Sequence, residues 1–151
     1  PNVFAGYWRA PEKTRSEFTP DGWFKSGDLG LIDADGYVHI VGRAKDLVIS
    51  GGYNVYPKEV ETALDAMAGI AESAVFGVPH PDLGEGVTAA VVVHAAASVS
   101  EAEIIRRLRE RLARYKVPRR ILVVDELPRN AMGKVQKNVL RATYASLYTA
   151  G

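Results

Sequence analysis

Hydrophobic positions in the middle of the chain follow the period of a helix. The apolar residues recur at intervals of three and four, at Val60, Ala63, Leu64 and Met67. Such spacing places them on one helical face, so the pattern predicts an amphipathic helix. Pro57 suits the first helical position, and Gly69 suits the residue beyond the end of the helix.

Two further helices are predicted in the last third of the chain. Ser100 and Glu103 have the spacing of a capping box, which predicts a helix over 101–114. Three apolar residues of that helix point inward: Ile104, Leu108 and Leu112. A closing helix is predicted from Val139 to Leu147. A shorter helical turn is expected after Pro11, near the start of the chain.

Strand patterns alternate with these helices. Residues 70–79, 87–95 and 121–124 are rich in valine, isoleucine and alanine and predict three strands. Earlier in the chain, two apolar runs flank Asp35 and Gly36, which predicts a short two-stranded hairpin. The mixture of strands and helices at short intervals predicts an α+β unit over 47–151, with a three-stranded sheet and about three packed helices.

Composition limits the classes of function. The 151 residues are 47% hydrophobic and 25% charged with a net charge of +1, which is typical of a soluble globular protein. The chain has no cysteine, which excludes disulfides, thiol catalysis and thiolate metal sites. We expect a cytoplasmic protein with no nucleic-acid or membrane partner. The first residues, PNVFAGYWRA, read like the interior of a longer chain.

The stretch from Gly42 to Pro57, GRAKDLVISGGYNVYP, is the first candidate for binding. A short β-branched run is followed by Gly51 and Gly52, which permit unusual backbone angles and let a ligand approach the main chain. The helix that begins at Pro57 offers spare N–H groups. This arrangement could hold an anion or a thin ligand arm. A purely structural hairpin turn is the alternative.

Three polar residues are further candidates. Lys134 follows a glycine in PRNAMGKVQK and could reach a phosphate or a carboxylate; the alternative is a solvated loop lysine. Asp28, in GWFKSGDLG, could accept hydrogen bonds from ribose hydroxyls or could cap a turn. Arg43 could bind the same sugar or a phosphate, or could form a surface ion pair.

A basic run occupies positions 106–120. Its members are Arg106, Arg107, Arg109, Arg111, Arg114, Lys116, Arg119 and Arg120, and the acidic residue among them is Glu110. The run could attract a phosphate-rich partner, or it could be a solvated helix face. The three histidines, His39, His80 and His94, lack metal-ligand spacing, so no metal site is expected in this chain.

Three of these stretches resemble core motifs of the adenylate-forming superfamily, which contains acyl-CoA synthetases, adenylation domains of peptide synthetases and luciferases. GWFKSGDLG is similar to its seventh motif, GRAKDLVISGGYNVYP to its eighth and PRNAMGKVQK to its tenth. The resemblance covers essentially the whole chain, but only the C-terminal third of such an enzyme. The segment SGGYNVYPKEVE and the later segment ESAVFGVPHPDLGEGV are most similar to malonyl-CoA synthetases.

The resemblance implies an organisation into two parts. Residues 1–42 would be the tail of a large N-terminal domain, 43–46 a hinge, and 47–151 a small mobile C-terminal lid domain. The hinge residue would be Lys45.

The resemblance also implies an acid–CoA ligase that forms AMP. A carboxylate attacks ATP to give an acyl-adenylate, and the CoA thiol then displaces AMP. The acid would be malonate or methylmalonate, which would place the enzyme in fatty acid metabolism. Lys134 would be catalytic, Asp28 and Arg43 would bind the nucleotide, and Ser50, Gly51, Gly52 and Tyr53 would bind CoA.

Cofactors and partners follow from the same resemblance. ATP or AMP, CoA and Mg²⁺ are implied, with Mg²⁺ bound mainly by the large N-terminal domain. The partners would be that domain, a small carboxylic acid, and a lysine acetyltransferase or deacetylase acting on Lys134, whose charge acetylation removes. The chain alone is not expected to catalyse the first step. Two alternatives are an adenylation domain that loads a carrier protein and a non-catalytic basic binding module.

Overall fold

The computed structural model describes residues 2–95, 97 and 99–149. The chain divides into two units, of which the first ends at Ala44 and the second begins at Lys45. Within the described residues, every helix is too short or too polar to cross a membrane.

The first unit contains one helix and one hairpin. Helix α1 spans Pro11–Glu17, and strands β1 (Asp28–Ile32) and β2 (Val38–Arg43) pair antiparallel. The Asp33 carboxylate accepts hydrogen bonds from the backbone N–H groups of Asp35 and Tyr37 and so stabilises the turn between the strands. The predicted hairpin is therefore confirmed.

Aromatic side chains provide the main packing of the first unit. The rings of Phe18 and Phe24 lie 5.5 and 5.2 Å from that of Phe4, and Tyr7 lies 5.1 Å from it on edge. No residue described in this unit is fully buried. Its stability therefore rests on a small aromatic cluster and the hairpin.

The second unit consists of a five-stranded sheet and three helices. Its elements are β3 (Val48–Ser50), β4 (Tyr53–Val55), α2 (Pro57–Asp65), β5 (Ile70–His80), β6 (Gly84–Val93), α3 (Glu101–Arg109), β7 (Arg120–Val123) and α4 (Lys137–Thr143). The strand order is β4-β3-β6-β5, and β7 pairs parallel with β6. Because β5 pairs with β6 along nearly its full length, β3 and β7 share the opposite edge of β6.

The α+β class is confirmed, but the prediction of a three-stranded sheet requires correction. The two additional strands, β3 and β4, are each three residues long, which is too short to give a distinct alternating pattern. Strand β6 begins at Gly84, within a segment that reads as a loop. Helix α3 ends at Arg109 rather than at residue 114, and a short 3₁₀ turn (Arg114–Lys116) follows.

Apolar side chains cover both faces of the sheet. Val75 of β5 faces the cluster formed with α2 and α3, whereas Ala74 and Phe76 face the cluster formed with α4. In β6, Ala89 and Ala90 divide between the same two faces. Strands buried on both sides read as continuous apolar runs, which explains the sequence pattern of both.

Candidate active site

Asp28 and Arg43 are brought together by the hairpin of the first unit. They are partners in the register of β1 and β2, and the Arg43 Nη1 atom lies 2.5 Å from Asp28 Oδ1. Arg43 also donates to the Ser26 carbonyl at 3.0 Å. Hydrogen bonds, first from Arg43 and then from Ser26, lower the pKa of Asp28. The pair therefore offers an ionised acceptor beside a cationic donor.

Lys45 is the first residue of the second unit and lies in a 3₁₀ turn, Ala44–Asp46. The next residue, Asp46, is held to α4, since its Oδ1 atom lies 3.2 Å from Nη2 of Arg141. The Lys45 side chain is exposed. The chain is thus anchored to the second unit immediately after Lys45.

Ser50 and Tyr53 close the β3–β4 hairpin around two glycines. Gly51 has φ 57° and Gly52 has φ 82°, both in the left-handed region that a tight two-residue turn requires. The Gly51 N–H donates to the Leu83 carbonyl at 2.9 Å. The turn is therefore fixed beside the start of β6, and nothing lies within 4 Å of a Cβ built at Gly52.

A carboxylate fixes the strand that leads into this turn. The Ile49 N–H donates to Glu85 Oε2 at 2.8 Å. Glu85 lies across Gly77, where an added Cβ would stand 2.3 Å from Oε1 of Glu85 and 3.0 Å from Val48. Only glycine at position 77 leaves room for this contact, so the position of the turn depends on it.

A groove of about 590 Å³ borders the turn. The turn contributes Ser50, Gly51 and Tyr53 to its lining, and the later part of the chain contributes Arg109, Arg114, Tyr115 and Arg119. The rings of Tyr53 and Tyr115 stack with centroids 4.7 Å apart. Sequence reasoning did not identify Tyr115, which is a single aromatic residue among arginines. The structure joins the Gly-Gly turn to part of the basic run.

Acidic residues form ion pairs with four other members of the basic run. Arg106 and Arg107 bind Glu103, Lys116 lies 2.6 Å from Glu59, and Arg120 lies 3.0 Å from Glu101. Within the described part of the chain, no carboxylate forms an ion pair with the groove arginines, Arg109, Arg114 and Arg119. Among the described residues of the run, the unpaired arginines are therefore the three in the groove and Arg111, which does not line it.

Lys134 lies on a small hairpin in which Arg129 is bridged to Val135. The Asn130 side-chain oxygen accepts from the Lys134 N–H at 2.9 Å, and the Asn130 N–H donates to the Lys134 carbonyl at 2.9 Å. The Lys134 side chain is exposed, and its ammonium has no ion-pair partner among the residues described. A single asparagine thus fixes the backbone that presents this charge.

The Lys134 hairpin and the Gly-Gly turn lie at opposite ends of the β5–β6 pair. Arg129 of the hairpin binds Glu72, near the start of β5. The turn contacts Leu83, beside the Gly84 that pairs with His80 at the end of β5. Glu72 and His80 are eight residues apart in an extended strand, which corresponds to about 26 Å.

The two segments also differ in the face of the sheet that they border. Val135 of the Lys134 hairpin packs in the cluster on the α4 side. Val87 and Val117, which line the groove, belong to the cluster on the α2 and α3 side. Among the described residues, no three or more histidine, cysteine, aspartate or glutamate side chains form a group that could hold a metal ion.

The family model for the AMP-binding enzyme C-terminal domain matches residues 59–134, from α2 to Lys134. The chain belongs to this family. Lys134, its partner Asn130 and all three groove arginines lie within the matched residues.

Several CoA ligases are similar to this AMP-binding enzyme C-terminal domain. It is 51% identical over 140 residues to the 3-[(3aS,4S,7aS)-7a-methyl-1,5-dioxo-octahydro-1H-inden-4-yl]propanoyl:CoA ligase of Rhodococcus jostii, covering 93% of this chain and 27% of the ligase. With the same coverage it is 46% identical to the long-chain-fatty-acid–CoA ligase FadD13 of Mycobacterium tuberculosis. The resemblance to acyl-CoA synthetases is thus confirmed.

A solved structure supports the same conclusion. ATP-bound MatB from Rhodopseudomonas palustris is 62% identical to this chain with a TM-score of 0.90, and the match covers 98% of this chain and 29% of MatB. The chain therefore spans less than a third of the length of these three relatives.

Proposed function

We propose that this chain is the C-terminal lid of an acid–CoA ligase that forms an acyl-adenylate from ATP and then an acyl-CoA thioester. The observation that carries the proposal is the separation of Lys134 from the Gly51–Gly52 turn along β5. One orientation of the domain would not present both to a single reaction centre, because about 26 Å of strand lies between them. Two orientations used in turn would present one each, with Lys45 as the hinge.

Lys134 would serve the adenylation step. Its ammonium would bridge the carboxylate and the α-phosphate, where it would stabilise the negative charge that develops during attack. Asp28 would accept hydrogen bonds from the ribose hydroxyls, assisted by Arg43. Mg²⁺ is assigned to the large N-terminal domain and to no residue of this chain. Acetylation of the exposed Lys134 would remove its charge and stop this step.

The Gly51–Gly52 turn and its groove would serve the thioester step. The exposed backbone at Gly52 leaves space for the thin pantetheine arm. Arg109, Arg114 and Arg119 would bind CoA phosphates, for which a guanidinium offers paired donors. Their lack of a described carboxylate partner supports this assignment over a solvated helix face.

Malonate or methylmalonate is the proposed acid. The segment from Ser50 to Val87 resembles malonyl-CoA synthetases. The chain is 62% identical in sequence to MatB. It is only 51% and 46% identical to the ligases named for a propanoate with fused rings and for a long-chain fatty acid. We assign the acid from this similarity because we place the acyl pocket in the N-terminal domain.

A chimeric ligase tests the proposal. This chain would replace the matching C-terminal part of MatB, and ATP-dependent malonyl-CoA formation would be followed with Lys134 intact and in Lys134→Ala. We expect at least a 100-fold loss of malonate-dependent ATP–pyrophosphate exchange in the variant, about the size of losing one preorganised donor. Malonyl-CoA formation from supplied malonyl-adenylate should persist. Lys58→Ala, which removes another exposed lysine of the second unit, is the matched control.

Each other outcome corrects a different part of the proposal. Activity that Lys134→Ala leaves unchanged would remove Lys134 from the mechanism. The acid is tested in the full-length protein to which this chain belongs, because the chimera carries the acyl pocket of MatB. Pyrophosphate release there with another acid but not with malonate would keep the ligase and overturn the substrate. A folded chimera with no acid-dependent exchange would contradict the ligase itself.

A further inference from the structure

Arg129 binds both the backbone of the Lys134 hairpin and a side chain of the sheet. Its Nη1 atom donates to the Gly133 carbonyl at 2.7 Å, and its Nη2 atom binds the Glu72 carboxylate on β5. The Gly133 carbonyl belongs to the peptide bond that leads into Lys134. One guanidinium therefore connects the backbone at Lys134 to the sheet.

We propose that Arg129 is a positioning residue that holds the Lys134 hairpin against β5 for the adenylation step, an inference that rests on the proposed function. Asn130 fixes the shape of the hairpin, but its hydrogen bonds are all made within residues 130–134. Attachment of the hairpin tip to the sheet therefore depends on Arg129. The planar guanidinium can bind a carbonyl and a carboxylate together, which the single ammonium of a lysine does less well.

The base of the hairpin is held independently of Arg129. The Gln136 N–H donates to the Pro128 carbonyl at 2.7 Å. Lys137, at the start of α4, lies 2.6 Å from Glu61, and both side chains are largely buried. Loss of the Arg129 contacts should therefore release the tip of the hairpin and leave the fold of the second unit intact.

The test uses Arg129→Gln in the chimeric ligase. A displacement of about 1 Å can lower a rate by about 100-fold, so we expect ATP–pyrophosphate exchange to fall by 10- to 100-fold. The loss should appear in kcat rather than in the KM for ATP. Malonyl-CoA formation from supplied malonyl-adenylate should be unchanged. Arg129→Lys should restore part of the lost rate, since it keeps the charge and one donor.

Two further measurements separate positioning from a general structural role. The NMR order parameter of the Lys134 backbone should fall in Arg129→Gln, because the hairpin tip is no longer attached to β5. Arg106→Gln is the matched control, since that arginine also bonds two acceptors, Glu103 and Glu110, but on the exposed face of α3. It should change neither half-reaction.

The outcomes distinguish this inference from the proposed function. Exchange activity that is lost in Lys134→Ala but intact in Arg129→Gln overturns the role of Arg129 alone. Equal losses of both half-reactions in Arg129→Gln show that Arg129 only stabilises the fold, which also overturns it. Exchange activity that neither variant changes overturns the proposed role of Lys134 itself.

Discussion

The two ends of the β5–β6 pair present different chemistry and are held by different means. At one end, Asn130 and Arg129 fix a hairpin with polar contacts, and the exposed group is the Lys134 ammonium. At the other end, Gly51 and Gly52 fix a turn by their left-handed backbone angles, and bare backbone borders a groove. A fixed charge suits the stabilisation of a developing anion, whereas bare backbone suits a thin ligand arm.

Under the proposed function, this difference would let one small domain serve two steps without sharing residues between them. Each end can be altered while the other keeps its structure, because the β5–β6 pair between them is buried on both faces. Variants at the two ends should therefore separate the half-reactions, and a variant at the hinge should trap the domain with one end presented.

The largest difference between the rates of the two half-reactions is expected from Lys45→Pro in the chimeric ligase. Proline fixes φ near −65°, so the segment that would rotate between the two orientations loses its freedom. One half-reaction should fall by at least about 100-fold, and the other should be largely retained. Lys45→Arg keeps a rotatable φ and should leave the ratio of the two rates unchanged. Equal losses in both half-reactions for Lys45→Pro would contradict a hinge at this position.

Gly52→Leu, at the Gly51–Gly52 end of the sheet, should impair thioester formation and spare adenylation. Gly52 has φ 82°, and its missing side chain would enter open space beside the groove. Thioester formation from malonyl-adenylate should fall by at least about 10-fold, since the leucine would obstruct the proposed thiol path, and pyrophosphate exchange should change little. Gly36→Leu is the matched control, because Gly36 has φ 86° and is equally open but lies in the turn of the first unit. Unchanged thioester formation would move the thiol path elsewhere.

Two of the features that the sequence predicted are held by local contacts. The β1–β2 turn depends on Asp33 bonding to residues two and four positions ahead, and α3 begins where Ser100 accepts from the Glu103 N–H. Strands β3 and β4 have no such signal, because three residues give too short a pattern. Their sheet position is set by Ser50 pairing with Gly84, 34 residues later.

The candidate groups could be named from sequence, but their arrangement could not. Lys134 is recognisable within its motif, yet its place at one end of the sheet depends on Arg129 binding Glu72, 57 residues away. The basic run likewise reads as one continuous charge. Which of its members form ion pairs depends on partners such as Glu59, which is 57 residues from Lys116. Such long-range pairings leave no local pattern.

The groove arginines offer a more specific test of the Gly51–Gly52 end of the sheet, with a smaller expected effect. Arg119→Gln should raise the KM for CoA by about 5-fold, since one exposed ion pair contributes up to about 1 kcal/mol. The kcat and the pyrophosphate exchange rate should be unchanged. Arg111→Gln removes an arginine of the same run that does not line the groove, and it should leave the KM unchanged. Equal effects of the two variants would mean that the run acts only through its overall charge.

The smallest effect concerns Glu103, whose ion pairs distinguish Arg106 and Arg107 from the arginines of the groove. Hydrogen bonds from Arg106 and then Arg107 lower the pKa of Glu103 from 4.5 to about 2. Because the pKa is lowered in the folded protein, this stabilisation is complete above pH 4.5 and is lost as the pH falls toward 2. Arg106→Gln should raise the pKa of Glu103, which a carboxyl NMR titration measures, without changing the KM for CoA. A Glu103 that titrates near pH 4.5 in the unchanged protein would contradict its ion pairs with Arg106 and Arg107. Both arginines would then be free to bind an acidic ligand.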